Sequence, residues 1–265
     1  MLLAATALLA WVDSLAAQEK SLREELPRLP PVEPQDALKT FHVERGFTLE
    51  LVAAEPLVGD PVDACFDENG RMFVAEFHAY PYAKEKDRII PAGTGRTESG
   101  IIRLLEDADG DGAMDRSTVF ADKLDWPVSV APYRGGVFVI DPPDVYYLKD
   151  TNGDGRADVR ETVFSHLGRN NVQGLANNLK WGLDNRIWVA SGSNGGEIFR
   201  RGEKTLSLGR SDWSFDPQTE QVERASGGIQ FGHSLDDWGN RFLCSNSNHI
   251  LHVVFEEKYL ARNPF

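Results

Sequence analysis

The sequence predicts an all-β chain folded as a β-propeller, with about four blades of antiparallel strands present. Three observations carry that prediction. An apolar strand, a tight polar turn and a second apolar strand recur as a unit four times. The turns fall at roughly 50- to 65-residue intervals, long enough for several strands per repeat. No long stretch shows the 3.6-residue apolar period of an amphipathic helix. A stacked sandwich is the alternative architecture, but regular hairpin recurrence suits blades better.

The four units are "DPVDACFDENGRMFVAE", "WPVSVAPYRGGVFVID", "LKWGLDNRIWVASG" and "FGHSLDDWGNRFLCSN". Their turns centre on Asn69-Gly70, Gly135-Gly136, Asp184-Asn185 and Gly239-Asn240, residue types that reach positive φ at little cost. The flanks are β-branched and aromatic, as strands prefer. "GIIRLLE" with "RSTVFAD", and "VYYLK" with "RETVFS", supply shorter outer strands. The alternation in "FTLELVAAEP" predicts one more strand ahead of the first unit, which would pair in a last blade outside this sequence.

Ahead of the propeller, residues 1–17 read as a signal peptide or N-terminal anchor: Met1 to Val12 is apolar, and Ser14, Leu15 and Ala16 suit a small-x-small cleavage site. No Lys or Arg precedes that apolar core. Residues 18–40, charged and rich in Pro, read as a linker, and residues 41–265 as the partial propeller. The expected location is therefore exported, periplasmic or membrane-associated.

The chain has 265 residues with 41 acidic against 28 basic side chains, a net charge of -13. That balance argues against nucleic acid, whose phosphates need clustered Lys and Arg. It suits a protein that holds cations. Cys65 and Cys244 are the two cysteines; they could pair in an oxidising compartment, or stand as separate buried thiols. No CxxC or CxxCH occurs, so this sequence holds no covalent haem site.

Two acidic loops repeat one pattern, D-x-[DN]-x-D-G-x-x-D. The first offers Asp107, Asp109, Asp111 and Asp115; the second offers Asp150, Asn152, Asp154 and Asp158. Calcium takes about six to eight oxygens, and alternate side chains on a sharp Gly turn can converge on one ion. Glu161 at position twelve completes an EF-hand expression in the second loop. The flanks read as strands, however, where an EF-hand needs helices. The expectation is structural Ca²⁺ pinning an outer hairpin; the bland alternative is a pair of solvated acidic turns.

Taken together, "FTLELVAAEPLVGDPVDACFDENGRMFVAEF", "LEDADGDGAMDRSTVFAD", "NNVQGLANNLKWGLDNRIW" and "GGIQFGHSLDDWGNRFLCSNSNH" resemble the membrane-bound dehydrogenase domain of the PVC-type haem-binding CxxCH proteins. The likeness runs from about Phe41 to the C-terminus. It implies a propeller like that of soluble quinoprotein glucose dehydrogenase, export, and a downstream C-type cytochrome domain that carries the haem outside this sequence. On that resemblance the chain is a fragment of a longer protein. The cofactor it implies is pyrroloquinoline quinone, and the substrate a sugar or another polyol. The general-base histidine of the sugar dehydrogenases falls in the stretch that here reads "GRNNVQGLANNL", which has none. Gln173 and Asn177 stand there instead and cannot take a proton near neutral pH.

Propellers bind ligands at inner-strand ends and the loops that follow. The candidates for substrate binding are Glu76, His78, Asp141, Gln173, Asn194, Asn246, Asn248 and His249. Tyr80, Tyr82 and Trp181 could serve as stacking faces. His78 and His233 are the candidates for a catalytic base; His233 has a duller reading as a hydrogen-bonded strand residue. Two functions follow: an exported, calcium-binding, dehydrogenase-like module acting on sugars or polyols, or a non-catalytic propeller that binds carbohydrate or protein. On either reading the isolated chain is expected to be inactive as a dehydrogenase.

Overall fold

The computed structural model describes residues 30–78, residue 80 and residues 100–263. The expected signal peptide, most of the expected linker and Tyr82 lie outside the described residues. Contacts divide the chain into two units, Met1–Glu50 and Leu51–Phe265. In the first, Pro34 opens a one-turn helix, α1 (Pro34–Ala37), and its fixed φ suits that first turn.

The second unit is built from four antiparallel sheets. Sheet 1 holds β1 (Pro61–Phe66), β2 (Met72–Glu76), β3 (Gly100–Glu106) and β4 (Arg116–Leu124) in that spatial order. Sheet 2 holds β5 (Ser129–Tyr133), β6 (Gly136–Asp141), β7 (Asp144–Lys149) and β8 (Val159–Leu167). Sheet 3 runs β9 (Asn177–Trp181), β10 (Ile187–Ala190), then β13 (Asp212–Phe215) and β14 (Val222–Ala225). Sheet 4 is β15 (Phe231–Leu235), β16 (Arg241–Cys244) and β17 (Leu251–His252).

These sheets are the blades. Their innermost strands lie side by side in chain order, β1 against β5, β5 against β9, β9 against β15. One serine stitches three of them. Ser129 Oγ donates to Asp63 Oδ2 (2.6 Å) and accepts from the Leu179 N–H (2.8 Å). The core lies between neighbouring sheets. Phe73, Ile102, Leu104 and Phe120 of sheet 1 meet Val130, Val137, Val139 and Leu148 of sheet 2. Phe138, Ile140 and Phe164 of sheet 2 meet Ile187, Val189, Trp213 and Phe215 of sheet 3.

Strand burial follows from this stacking. β2 and β6 are buried at every residue because each is covered on both faces. β16 alternates buried and half-buried, since sheet 4 has a neighbour on one face. All four predicted inner hairpins form. The tightest has Arg134 and Gly135 both at positive φ, as a two-residue turn that matches strand twist requires.

Two elements differ from the sequence reading. Residues 47–54, expected as a strand, carry none: an alternating segment becomes a strand only where a sheet edge meets it, and no ladder does so here. The hairpin β11 (Gly196–Arg200) and β12 (Glu203–Ser207) was not anticipated. It attaches to β8 and widens sheet 2 to six strands. Its signal was present in Arg201-Gly202, both at positive φ.

Candidate functional site

The inner strands converge on a basin of about 490 Å³. Val62, Phe77, Val128, Val172, Leu175 and Phe231 give it apolar walls; Asp63, Tyr80, Gln173, Asn177, Asn178, Gln230 and Asn246 give it polar groups. The side-chain amides are held by the Tyr80 hydroxyl and by backbone groups. Gln173 Nε2 donates to the Tyr80 hydroxyl at 3.1 Å. Asn177 Nδ2 donates to the carbonyls of Leu175 and Gln230, and its Oδ1 accepts from the Gly232 N–H at 2.6 Å. Gln230 Oε1 accepts from the Asn246 N–H at 3.3 Å.

Asn178 is the exception. Its backbone is left-handed, φ 57°, and its Oδ1 is buried without a hydrogen-bond partner among the described residues. Opposite it, Gly232 has no Cβ because one would lie 1.9 Å from that of Asn178. The glycine lets β15 approach β9 closely enough to close the basin wall. Asn178 and Gln230 were missed from sequence; the adjacent Asn177-Asn178 pair was the available signal.

Of the predicted ligands, Gln173 and Asn246 line the basin. Glu76 does not: it is fully buried, and its carboxylate takes Arg103 Nε at 2.6 Å and Arg103 Nη2 at 3.0 Å. The Gly59 N–H adds a third bond at 2.9 Å. Burial alone would raise this carboxyl, but His78, Arg103 and the Gly59 N–H outweigh it and hold it below the usual range. Asp141 is also buried and caps the backbone N–H groups of Asp125 and Trp126. Burial pushes it up to about 6 against those bonds. Asn194 ties a loop to Asn171 through both ends of its amide, and Asn248 closes a turn with Ser245. His249 lines a second cavity of about 570 Å³ beside Lys180, Cys244 and Ile250. Trp181 donates to the Pro132 carbonyl and leans on Tyr133, at the rim of sheet 3.

The two candidate bases are placed differently from a free catalytic histidine. His78 has Nδ1 3.2 Å from Asp60 and Nε2 3.0 Å from Glu76, so both nitrogens face carboxylates. His233 is buried edge-on to Trp188, with neither nitrogen bonded among the described residues. Burial chiefly, aided by the charges of Arg241 and Lys180, pushes it down to about 3. It is neutral at neutral pH and shares the lining of the second cavity with His249. Both cysteines are free, and burial pushes the Cys65 thiol up to about 12.

The acidic loops fold alike. In the first, Asp107 accepts the N–H groups of Gly110 and Gly112; in the second, Asp150 accepts those of Gly153 and Gly155. Those bonds hold both carboxyls below the usual range. Asp115 accepts from Ala108, as Asp158 does from Thr151. Carboxylate oxygens of Asp107, Asp109 and Asp115 lie within 4.8 Å of one another. Asp111 lies outside that group; its Oδ1 accepts from the Ala113 N–H, just as Asp154 Oδ1 accepts from Arg156.

A family model described as a domain of unknown function, DUF7133, matches residues 33–265. No curated protein sequence matches the chain. A crystal structure of a protein from Lactobacillus plantarum is similar over 73% of this chain and 70% of that one, at 11% identity and a TM-score of 0.35.

Proposed function

The chain belongs to the DUF7133 family, and from that premise and the basin we propose that it is a calcium-stabilised propeller module binding a sugar or another polyol. The observation that carries this reading is the basin's lining, where the side-chain amides of Gln173, Asn177, Asn178, Gln230 and Asn246 stand beside the rings of Phe77, Tyr80 and Phe231. Phe77, Tyr80 and Phe231 offer apolar faces to a sugar ring.

Sugar oxidation is the finer reading that the dehydrogenase resemblance supports. The basin fits it poorly. Its described lining contains no His, Lys or Arg, so a polycarboxylate quinone such as pyrroloquinoline quinone meets no cation there.

The acidic loops fit Ca²⁺ by donor chemistry. Asp107, Asp109 and Asp115 would hold it in the first loop, and Asp150, Asn152 and Asp158 in the second, with oxygen donors only. The ion's contribution would be neutralising carboxylates that otherwise repel.

Calorimetric titration with glucose, oligosaccharides and sorbitol, in calcium-replete buffer, tests the basin. At least one should bind, and Asn178→Ala should weaken it about tenfold, or 1.4 kcal/mol. No binding by any of them, or equal binding by Asn178→Ala, would sink the assignment. Thermal melts in EDTA and then in Ca²⁺ test the loops. Calcium at 100 times its Kd adds about 2.7 kcal/mol, so an unshifted melting point would remove the metal from the reading.

A further inference from the structure

A smaller cavity of about 360 Å³ adjoins the basin, and Val62, Phe77 and Tyr80 line both. Small-molecule sites start at about 300 Å³, so each space clears that size by itself. The rings of Phe77 and Tyr80 meet edge to face, with centroids 5.7 Å apart. Gln173 Nε2 holds the Tyr80 hydroxyl at 3.1 Å, and Phe77 packs on Trp126 and Leu175. The ring pair shared by the two spaces is thus anchored at each of its members.

The two spaces differ in their polar groups. The basin offers mainly neutral amides. The smaller cavity offers the Asp60 carboxylate and the His78 imidazole beside the apolar Pro61. Asp60 is built into place. Its backbone is left-handed, φ 46°, a conformation that costs a non-glycine residue energy and persists where its surroundings enforce it. The Phe77 N–H donates to the Asp60 carbonyl at 3.1 Å, and the preceding Gly59 N–H donates to the buried Glu76 at 2.9 Å. Glu76 Oε2 lies 3.0 Å from His78 Nε2, and His78 Nδ1 lies 3.2 Å from Asp60 Oδ2. The Glu76–Arg103 pair therefore sets the imidazole, and the imidazole sets the carboxylate. The Asp60 side chain remains 43% exposed, an acceptor-only group when ionised, beside two aromatic rings. A sugar ring presents the complement: hydroxyl donors round its edge and C–H groups on its face.

We infer that the ligand is an oligosaccharide, with one sugar ring in the basin and the next in the smaller cavity, both against the Phe77–Tyr80 pair. Asp60 accepts hydroxyl hydrogens from that second ring. His78 is a positioning residue that orients Asp60. The inference rests on the sugar reading of the basin and adds the chain length that the site selects. A single ring in the basin meets the amides alone. A chain of two or more rings also gains the carboxylate and the apolar wall of the smaller cavity, so affinity rises with length.

Calorimetric titration of glucose against cellobiose, cellotriose, maltose and maltotriose, in calcium-replete buffer, reads that gain directly. At least one oligomer should bind about tenfold more tightly than glucose. Asp60→Gly accepts the left-handed backbone without strain and removes the carboxylate, so the ratio of oligomer to glucose affinity should fall toward one. The unmodified chain supplies a second readout: the imidazole resonances of His78 should shift on adding the bound oligomer and stay in place on adding glucose. Oligomers that bind no more tightly than glucose, a ratio unchanged in Asp60→Gly, or His78 resonances unmoved by a bound oligomer would each overturn the inference and leave the basin a sugar site. Failure of glucose and of every oligomer to bind would remove the sugar reading and this inference with it.

Discussion

Acid should destabilise this protein through His233. The imidazole is buried with neither nitrogen bonded among the described residues, and the Arg241 guanidinium stacks on the same Trp188 ring at 4.3 Å. Protonation would place a second cation there without solvent. The folded group titrates near 3, against 6.5 when unfolded. A depressed folded pKa means the unfolded chain binds the proton first. The stabilisation is therefore fully present above pH 6.5 and is lost as pH falls from there toward 3. At pH 5 the unfolded imidazole is almost wholly protonated and the folded one almost wholly neutral, which costs about 2 kcal/mol relative to pH 7. For a domain of this size that is roughly 4–8 °C in melting temperature. Urea denaturation at pH 7 and pH 5 would measure it. In His233→Phe, which keeps a ring against Trp188, that pH-dependent loss should vanish. An equal loss in both proteins would refute the argument, and acid sensitivity would then belong to the carboxylates.

Asp141 carries the opposite sign. Its folded pKa is raised to about 6, so its favourable contribution exists below the unfolded value near 4 and is lost as pH rises through 6; Asp141→Asn, whose Oδ1 still accepts from Asp125 and Trp126, should stabilise the fold at pH 7 by up to about 3 kcal/mol in denaturant melts. Removing Arg103, as Arg103→Leu, leaves the fully buried Glu76 with only His78 and the Gly59 N–H and should cost about 3–5 kcal/mol; a loss below 1 kcal/mol by urea titration would contradict the geometry. Gly232→Ala forces a Cβ to within 1.9 Å of Asn178 Cβ and should cost about 1–3 kcal/mol while also weakening any sugar binding, as paired melting and calorimetric measurements would show.

The inner hairpins were legible because their cause is local. Asn69-Gly70 and Gly135 name the turn, although the second turn sits one residue earlier than expected, on Arg134-Gly135, and the flanking apolar runs name strands whatever surrounds them. The acidic loops were legible for the same reason: Asp107 and Asp150 bond backbone N–H groups within five residues of themselves. Site residues were harder. Glu76, Asp141 and His78 have the composition of ligands, and the sequence held no sign that Arg103, the Trp126 N–H or Asp60 would engage them. Those partners arrive from other strands and loops, so burial and pairing, the two facts that turn a carboxylate from ligand into scaffold, are tertiary properties. Asn178 shows the reverse. Only its pairing with Asn177 marks it in the chain, and it becomes a candidate because the sheets place it in the basin wall. The same holds for residues 47–54: alternation specifies a surface fit to be a strand, but a strand exists only where another edge supplies its hydrogen bonds.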